Sequence, residues 1–458
     1  VLAEGLAGPR ALVKETWERY KLPLAITEAH LGCTREEQLR WLVEVWEAAR
    51  SLRQDGVDIR AVTAWALLGS YDWNSLATRA NGYYEPGAFD VRGPRPRPTA
   101  LARALRDLAD GREPDHPVLD APGWWRRLER LIYIPEQHRA TAAAVPTVKE
   151  VWTRMKKRRS RTLLISGATG TLGSAFARIC HARAIPYRLL GRREMDIADA
   201  ASVGMALAEF EPWAVVNAAG YVRVDDAERE PEACARENTE GPATLAAACA
   251  ERGVALLTFS SDLVFDGSAR EPYVERDAPA PLNVYGRSKA EAEARVTALH
   301  PSALVIRTSA FFGPWDEYNF VTGALRALAA GDHFAAADDA TVSPTYVPDL
   351  VHACLDLLID GECGVWHAAN QGAFTWADVA RLAARLADLD AKLIDARPTR
   401  SFNLAAPRPA YSALGSERGT LLPPLEDALS RYLNECEVWI RSARQRSARV
   451  RAAGVQDK

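Results

Sequence analysis

Residues 161–173 read RTLLISGATGTLG, and this stretch decides the fold of most of the chain. The apolar run that ends at Ser166 predicts a buried strand, and the segment after Gly173 has the apolar periodicity of a helix. Between them, the glycines follow the spacing GxxGxxG. A strand, a glycine-rich turn and a helix in this order are typical of a dinucleotide site, because glycines let a pyrophosphate approach the backbone at the helix N-terminus.

Strand-like and helix-like segments alternate along the chain after this turn. Because each strand is followed by a helix, the pattern predicts an α/β fold with a Rossmann-like, doubly wound parallel sheet over residues 161–445. Residues 310–440 are expected to supply a small C-terminal substrate lobe, with helices at 346–358 and 375–387. The further strands are predicted at 187–191, 214–220, 254–261 and 303–309.

The carboxyl ends of the first three strands predict a nicotinamide cofactor site. Arg192 and Arg193 follow the second strand, where the adenosine ribose of a dinucleotide should lie. A guanidinium binds phosphate oxygens well, so the pair favours NADPH, with NADH as the second choice. A pair of surface arginines without such a role is the alternative. The residues expected to contact the cofactor are Gly167, Thr169, Gly170, Thr171, Leu172, Gly173, Arg192, Arg193, Asp196, Ile197, Asn217, Ala218 and Ala219.

A serine, a tyrosine and a lysine have the spacing of a carbonyl reductase. Ser261 ends the fourth strand, and Tyr285 and Lys289 lie four residues apart on a predicted helix, so that both side chains share one face. A ketone that receives hydride at carbon needs a proton at oxygen, and a tyrosine can donate it. We expect Lys289 to lower the pKa of Tyr285 and Ser261 to hold the carbonyl oxygen.

Several longer segments resemble the extended short-chain dehydrogenase/reductase superfamily and, within it, the dTDP-4-dehydrorhamnose reductase family. The most specific are SSDLVFDG at 260–267, PLNVYGRSK at 281–289, SPTYVPDL at 343–350 and RPAYSAL at 408–414. The resemblance implies NADPH-dependent reduction of the 4-keto group of a nucleotide-linked 6-deoxysugar, first of all dTDP-4-dehydrorhamnose, with Ser261, Tyr285 and Lys289 as the catalytic trio. It also places Tyr221 near the cofactor and, near the sugar nucleotide, Asp262, Val264, Asn319, Phe320 and Arg408.

The N-terminal region, residues 1–110, has a different pattern of helix, strand, helix, strand, loop and helix. Residues 24–28 (LAITE) and 61–76 (AVTAWALLGSYDWNSL) resemble the C-terminal part of a family 1 glycoside hydrolase barrel, and the resemblance puts Glu28 at the position of the nucleophile. Only about two of the eight units of such a barrel are recognisable, and a retaining glycosidase needs a second carboxyl group. We therefore expect no glycosidase activity from this chain alone, and a missing barrel portion in a longer protein.

The composition excludes several classes of protein. The 458 residues carry a formal net charge of -3, which gives no general attraction to nucleic acid or to an anionic membrane. The connector, residues 111–160, ends in a basic run, Lys156–Arg159, that we interpret as a solvated face. No apolar run reaches the roughly 20 residues of a membrane span, and the first residues lack a secretory signal pattern. The seven scattered cysteines predict free thiols, a cytoplasmic location and no metal site.

Three other functions stay open at this stage. An epimerase or dehydratase on the same scaffold would keep NAD tightly bound, a non-catalytic regulatory subunit would bind NADP and a partner, and residues 1–110 could bind carbohydrate without hydrolysing it. The reductase family usually has Thr where this chain has Ser261. Gly220 and Leu263 also depart from the commonest residues of the family, which leaves the identity of the sugar substrate open. A homodimer is compatible with the sequence, and the missing initial Met suggests a processed product or a fragment of a longer chain.

Overall fold

The computed structural model describes residues 8–76, 78–127 and 160–435. The chain forms two compact units. The N-terminal unit comprises Val1–Thr162 with the short segments Cys180–Pro186 and Ile359–Gly361, and the sheet unit comprises Leu163–Ile179, Tyr187–Leu358 and Glu362–Lys458. The basic run at the end of the predicted connector lies outside the described residues.

The N-terminal unit is built on one βαβ motif. Strands β1 (Leu24–Ala29) and β2 (Ile59–Ala64) pair in parallel, and helix Arg35–Gln54 connects them. The order of its longer elements is the one predicted from the sequence. The remaining elements are helices Gly8–Tyr20 and Ala100–Ala109 and two short antiparallel ladders, β3 (Ser70–Tyr71) with β4 (Tyr84–Glu85) and β5 (Phe89–Asp90) with β6 (Arg97–Pro98).

Charged side chains at the start of helix Arg35–Gln54 are buried instead of solvated. Arg35 donates to the Asp360 carboxylate at 3.3 Å, and Glu36 forms an ion pair with Arg183. Arg40 donates to the backbone carbonyls of Arg183 at 3.1 Å and of Ala184 at 3.0 Å. Buried charges are retained in proteins when they are paired, so the N-terminal unit needs its two short downstream segments to satisfy this helix.

The sheet unit contains a six-stranded parallel sheet, which confirms the predicted fold class. The strands are β7 (Leu163–Ser166), β8 (Tyr187–Leu190), β9 (Ala214–Asn217), β10 (Ala255–Ser261), β11 (Leu304–Thr308) and β16 (Gly364–His367). They lie in the order β8-β7-β9-β10-β11-β16, with neighbours paired in parallel. The order reverses between β7 and β9, and a crevice forms at such a point outside the carboxyl ends of the strands.

Helices cover the sheet, and a smaller lobe follows β11. The sheet helices are Thr171–Ala182, Ala200–Phe210, Pro231–Ala235, Gly241–Arg252 and Val284–Leu299. The lobe contains helices Phe320–Ala330, Val347–Ile359 and Trp376–Leu386, a helix over 425–435, and the two-stranded ladders β12 (Phe311–Phe312) with β15 (Thr345–Tyr346), β13 (Phe334–Ala337) with β18 (Ile394–Arg397), and β14 (Thr341–Val342) with β17 (Phe374–Thr375). The second and third of these helices confirm the predictions at 346–358 and 375–387.

The central strands are buried along their whole length. Every residue of β7, β9 and β11 is buried, as expected for strands with helices on both faces of a parallel sheet. One hydrophobic cluster includes Leu164, Val215, Leu256 and Val305, one from each central strand. This core fixes the strand ends that carry the candidate site. Among the residues described, no helix combines the length and apolar character needed to cross a membrane.

Candidate active site

A groove lined by backbone lies where the strand order reverses. Gly167 has a φ of +86°, which favours glycine, and a β-carbon on it would lie 2.6 Å from the carbonyl oxygen of Ala218. A β-carbon on Gly173 would lie 2.3 Å from the carbonyl oxygen of Gly167. Helix Thr171–Ala182 begins at this turn, and the first N–H groups of a helix have no partner within it. The groove therefore fits the pyrophosphate of a dinucleotide.

Polar side chains join the strand ends below the groove. Ser166 donates to Asn217 at 2.8 Å, and the Asn217 amide donates to Thr258 at 3.2 Å. The backbone N–H of Ala219 donates to Ser166 at 3.3 Å. These bonds connect β7, β9 and β10, so they hold the ends of β7 and β9, the middle of β10 and the loop after β9 at fixed distances.

The structure places the predicted cofactor residues in different surroundings. Arg192 and Arg193 are exposed directly after β8, with Arg192 paired to Glu237 at 2.5 Å. Thr169 is exposed, and Thr171, Gly170 and the backbone of 217–219 lie at the groove. Three others face the protein interior: Leu172 and Ile197 are buried, Ile197 as part of the core cluster, and the Tyr221 hydroxyl donates to Glu230 at 2.7 Å. Asp196 forms an ion pair with Arg236 at 2.7 Å, which lowers the pKa of Asp196.

The structure brings the predicted trio together. Ser261 is the last residue of β10, and Tyr285 and Lys289 lie in the first turns of helix Val284–Leu299. Asn283 caps this helix by accepting the backbone N–H of Gly286 at 2.7 Å. The Lys289 ammonium lies 5.8 Å from the centre of the Tyr285 ring, so the two side chains share one face.

Burial dominates the electrostatics of the trio. It raises the pKa of Tyr285, and the Asp262 carboxylate raises it further. Burial also lowers the pKa of Lys289 to about 8, against the opposing effect of Glu293. The pKa of Tyr285 is thus raised overall, and the expectation that Lys289 lowers it stays a prediction. The Lys289 ammonium donates to the carbonyl of Phe259 at 3.2 Å.

A cavity of about 550 Å³ opens beside the trio. Ser261 and Tyr285 line one end of it, and most of its other walls are apolar. The Ser260 hydroxyl also lines it and is buried without a hydrogen-bond partner in the described part of the chain, so it is available to a bound molecule. The apolar lining residues include Val222, Val224, Phe320, Phe334, Trp376, Phe402 and Leu404.

Three of the five predicted substrate residues line this cavity. They are Asp262, Phe320 and Arg408, and Arg408 is held by an ion pair with Asp225 at 2.7 Å. Val264 does not reach the cavity, because its side chain is fully buried in a cluster with Phe265 and Tyr273. Asn319 is also diverted: it caps helix Phe320–Ala330, accepting from Thr322 at 2.9 Å and donating to the carbonyl of Asp316 at 2.6 Å.

The sequence reasoning missed several lining residues. Ser309 follows β11 directly, and Ser412 lies within the RPAYSAL segment that carried part of the resemblance. A polar residue just after a buried strand is a signal that could have found Ser309. Phe334 and Trp376 had no such signal, because aromatic residues on a lobe are usually core.

Comparisons with known proteins agree with this geometry. The model of the family described as "RmlD substrate binding domain" matches residues 161–438. The chain is 37% identical over 263 residues to a dTDP-4-dehydrorhamnose reductase of Streptomyces griseus, with 56% of this chain and 86% of the relative covered. It is 33% identical over 257 residues to a dTDP-4-keto-6-deoxy-D-glucose reductase of Streptomyces niveus, with 56% and 88% covered.

A solved structure shows the same likeness. The dTDP-4-dehydrorhamnose reductase of Bacillus anthracis str. Ames in complex with NADP is 29% identical, with a TM-score of 0.57, over 60% of this chain and 99% of that one. The matched family model leaves residues 1–160 outside. From residue 161 to residue 438, and so over more than half of its length, the chain belongs to the RmlD substrate binding domain family, the family of the dTDP-4-dehydrorhamnose reductases.

Proposed function

We propose that this chain reduces the 4-keto group of a dTDP-linked 6-deoxysugar with NADPH, and that dTDP-4-dehydrorhamnose, which would give dTDP-L-rhamnose, is its first candidate substrate. The observation that carries the proposal is the placement of Ser261, Tyr285 and Lys289 between a glycine-lined groove and an apolar cavity. Relatives that cover the same part of the chain are named as reductases of dTDP-linked keto sugars.

The groove residues fit the cofactor. The turn at Gly167 and Gly173 would hold the pyrophosphate, and the exposed Arg192 and Arg193 would hold the 2′-phosphate that distinguishes NADPH from NADH. When bound, NADPH supplies a hydride for the carbonyl carbon.

The chain's own residues then handle the proton. Tyr285 is protonated at neutral pH because burial raises its pKa, so its phenol is ready to donate to the carbonyl oxygen. Hydride at carbon and this proton at oxygen convert the ketone to an alcohol and leave a phenolate. The Lys289 ammonium, on the same helix face, offsets that negative charge. Ser261 orients the carbonyl oxygen between them.

The lining of the cavity supports a deoxysugar. Phe320, Phe334 and Trp376 form one aromatic wall, with ring centres 5.3 Å apart for the first pair and 4.6 Å apart for Phe320 and Trp376. An apolar wall offers no hydrogen bonds to ring hydroxyls, and it therefore favours a sugar from which hydroxyls have been removed.

The test is NADPH oxidation, followed by absorbance, with dTDP-4-dehydro-6-deoxy-L-mannose as substrate. We expect turnover by the wild type and a loss of about 100-fold or more in kcat for Tyr285→Phe, which removes the proton donor. NADPH binding by the variant, measured by fluorescence, should stay close to that of the wild type. Wild-type protein that binds NADPH and leaves the sugar nucleotide unchanged would rule out rhamnose formation. NAD that stays bound through purification would favour the epimerase or dehydratase alternative.

For the N-terminal unit we propose descent from the C-terminal part of a family 1 glycoside hydrolase barrel. The parallel pairing of β1 with β2 across a helix is the repeating unit of such a barrel and supports this origin.

Glu28 is exposed on β1, and the aromatic rings of Tyr71, Trp73 and Tyr83 are about half exposed nearby in sequence. These rings suit carbohydrate binding. We expect no aryl-glucoside hydrolysis, and Trp73→Ala should weaken any carbohydrate binding measured on a sugar array. Hydrolysis that Glu28→Gln abolishes would contradict the expectation of binding without hydrolysis.

A further inference from the structure

Three serine hydroxyls surround one buried carboxylate behind the trio. The Ser261 hydroxyl donates to Oδ1 of Asp262 at 3.0 Å. Ser309 and Ser412 donate to Oδ2 at 2.8 Å and 2.6 Å. Asp262 is 5% exposed, and Ser309 and Ser412 are 4% and 1% exposed. Burial raises the pKa of Asp262, and the three serine hydroxyls oppose that rise by donating to its carboxylate.

The number of hydroxyl protons determines which group donates and which accepts in this cluster. Each serine hydroxyl has one proton to donate, so Ser261 has used its proton on Asp262. Ser261 also accepts the backbone N–H of Leu263 at 3.2 Å, and it is a hydrogen-bond partner of the Tyr285 phenol. The chain of hydrogen bonds therefore runs from Tyr285 through Ser261 to Asp262. A ketone oxygen can receive the Ser261 proton only when that proton leaves Asp262.

The two other serines come from separate parts of the fold. Ser309 follows β11, and Ser412 lies on the loop that also carries Arg408. Among the described residues, no Lys, Arg or His lies within ion-pair distance of Asp262. The titratable groups around the cluster are Tyr285 and Lys289 from helix Val284–Leu299 and Arg408 from the loop. The serine hydroxyls consequently provide the direct stabilisation of the Asp262 charge.

We propose that Ser309 and Ser412 are positioning residues of the reductase: they hold the Asp262 carboxyl group in place through Oδ2, so that Ser261 can turn its proton from Asp262 to the ketone oxygen. This inference rests on the proposed function, because it needs a ketone beside Ser261. When Ser261 turns away, Asp262 keeps two donors on Oδ2, and the turn leaves no buried carboxylate without partners.

The kinetic test compares Ser309→Ala, Ser412→Ala and the double variant with the wild type. We expect kcat of the double variant to fall about tenfold or more, with KM for the sugar nucleotide changed by less than about twofold, because the loss of two hydrogen bonds to a charged group acts on the turnover step. Removing donors also raises the pKa of Asp262, so the acidic limb of the kcat profile should move to higher pH. Ser412→Thr keeps a hydroxyl and should restore much of the activity.

A matched control and a second readout keep this test separate from the proposed function. Ser268→Ala removes an exposed serine that bonds Asp266, and it should leave the kinetics unchanged. Infrared spectra of the protein without substrate should show a protonated carboxyl band for the double variant at a pH where the wild type has none, and Asp262→Asn in the same background should remove it. A rise in KM at constant kcat, or no new band, would overturn the positioning role. If the wild type has no reductase activity but the band appears, the cluster stands and the proposed reaction fails.

Discussion

Gly167 and Ala218 lie so close that a β-carbon on Gly167 would be 2.6 Å from the carbonyl oxygen of Ala218. The two residues follow β7 and β9, which are neighbours in the sheet. Their contact therefore brings two loops together at the point where the strand order reverses. No side chain larger than the hydrogen of glycine fits there, so the two loops can pack at this distance only with glycine at position 167.

The glycine turn should tolerate no methyl group. In Gly173→Ala the new β-carbon would meet the carbonyl oxygen of Gly167 at 2.3 Å, so either the helix or the turn must move. We expect NADPH affinity to fall about tenfold or more, and the free energy of unfolding to fall by about 1–3 kcal/mol. Fluorescence titration with NADPH and urea unfolding measure the two effects.

Gly204→Ala is the matched control for this variant. A β-carbon on Gly204 would meet nothing closer than the Arg252 guanidinium at 3.9 Å, and the residue lies inside helix Ala200–Phe210. Alanine is the better helix former, so this variant should be more stable by about 0.5–1 kcal/mol with unchanged NADPH affinity. Equal loss of affinity in both variants would contradict the groove as the cofactor site.

The arginines after β8 should set the choice of cofactor. Arg193→Ser removes an exposed guanidinium from the position of the 2′-phosphate, and we expect KM for NADPH to rise about tenfold while KM for NADH stays the same. Arg188→Ser, an exposed arginine on β8 itself, is the control and should change neither. Equal changes in KM for NADPH and for NADH would show that Arg193 does not bind the 2′-phosphate.

Lys289 should make the free energy of unfolding depend on pH in the alkaline range. Burial lowers its pKa from 10.5 to about 8, so between these values the unfolded chain binds more protons than the folded one. Stability from this residue therefore rises as pH increases through that window, by about 3 kcal/mol. The difference between wild type and Lys289→Met, measured by urea unfolding at both ends of the window, isolates this contribution from other titrating groups. A constant difference would refute the lowered pKa.

Removing one partner of the buried ion pair between Glu36 and Arg183 should strongly destabilise the N-terminal unit. Arg183→Ala leaves Glu36 buried without its partner, and we expect a loss of about 3–5 kcal/mol in the free energy of unfolding. Arg10→Ala, which breaks the exposed pair with Asp55, should cost less than about 1 kcal/mol. Similar losses of unfolding free energy for both variants, measured by thermal or urea unfolding, would contradict the importance of the buried Glu36–Arg183 pair for stability.

Much of the sheet unit was predictable because its central strands are buried on both faces and read as continuous apolar runs. The trio was predictable as well, since Tyr285 and Lys289 are four residues apart on a helix and Ser261 ends a strand. Strand β16 was not predicted, because the glycine and the histidine at the ends of GVWH leave only two apolar residues in sequence. Its place in the sheet comes from its parallel pairing with β11.

Side-chain direction limited the prediction of the site. Val264 and Asn319 lie close to cavity residues along the chain, yet one turns into the core and the other caps a helix. Their motifs gave the right loops, and only the folded backbone decides which side chains of a loop face inward. The burial of Glu36 and Arg183 could not be predicted from the sequence either, because charged residues at the start of a helix normally lie in solvent.

The discontinuity of the N-terminal unit has a consequence for synthesis. Its polar interior contains Asp360, so the ribosome must translate five of the six sheet strands before the first helices can reach their final state. Arg183, the partner of Glu36, is translated before β8, whereas Arg35 lacks Asp360 until β11 and helix Val347–Ile359 have been translated. The N-terminal unit therefore cannot reach its final state during its own synthesis, and it is completed only after most of the sheet unit has been translated.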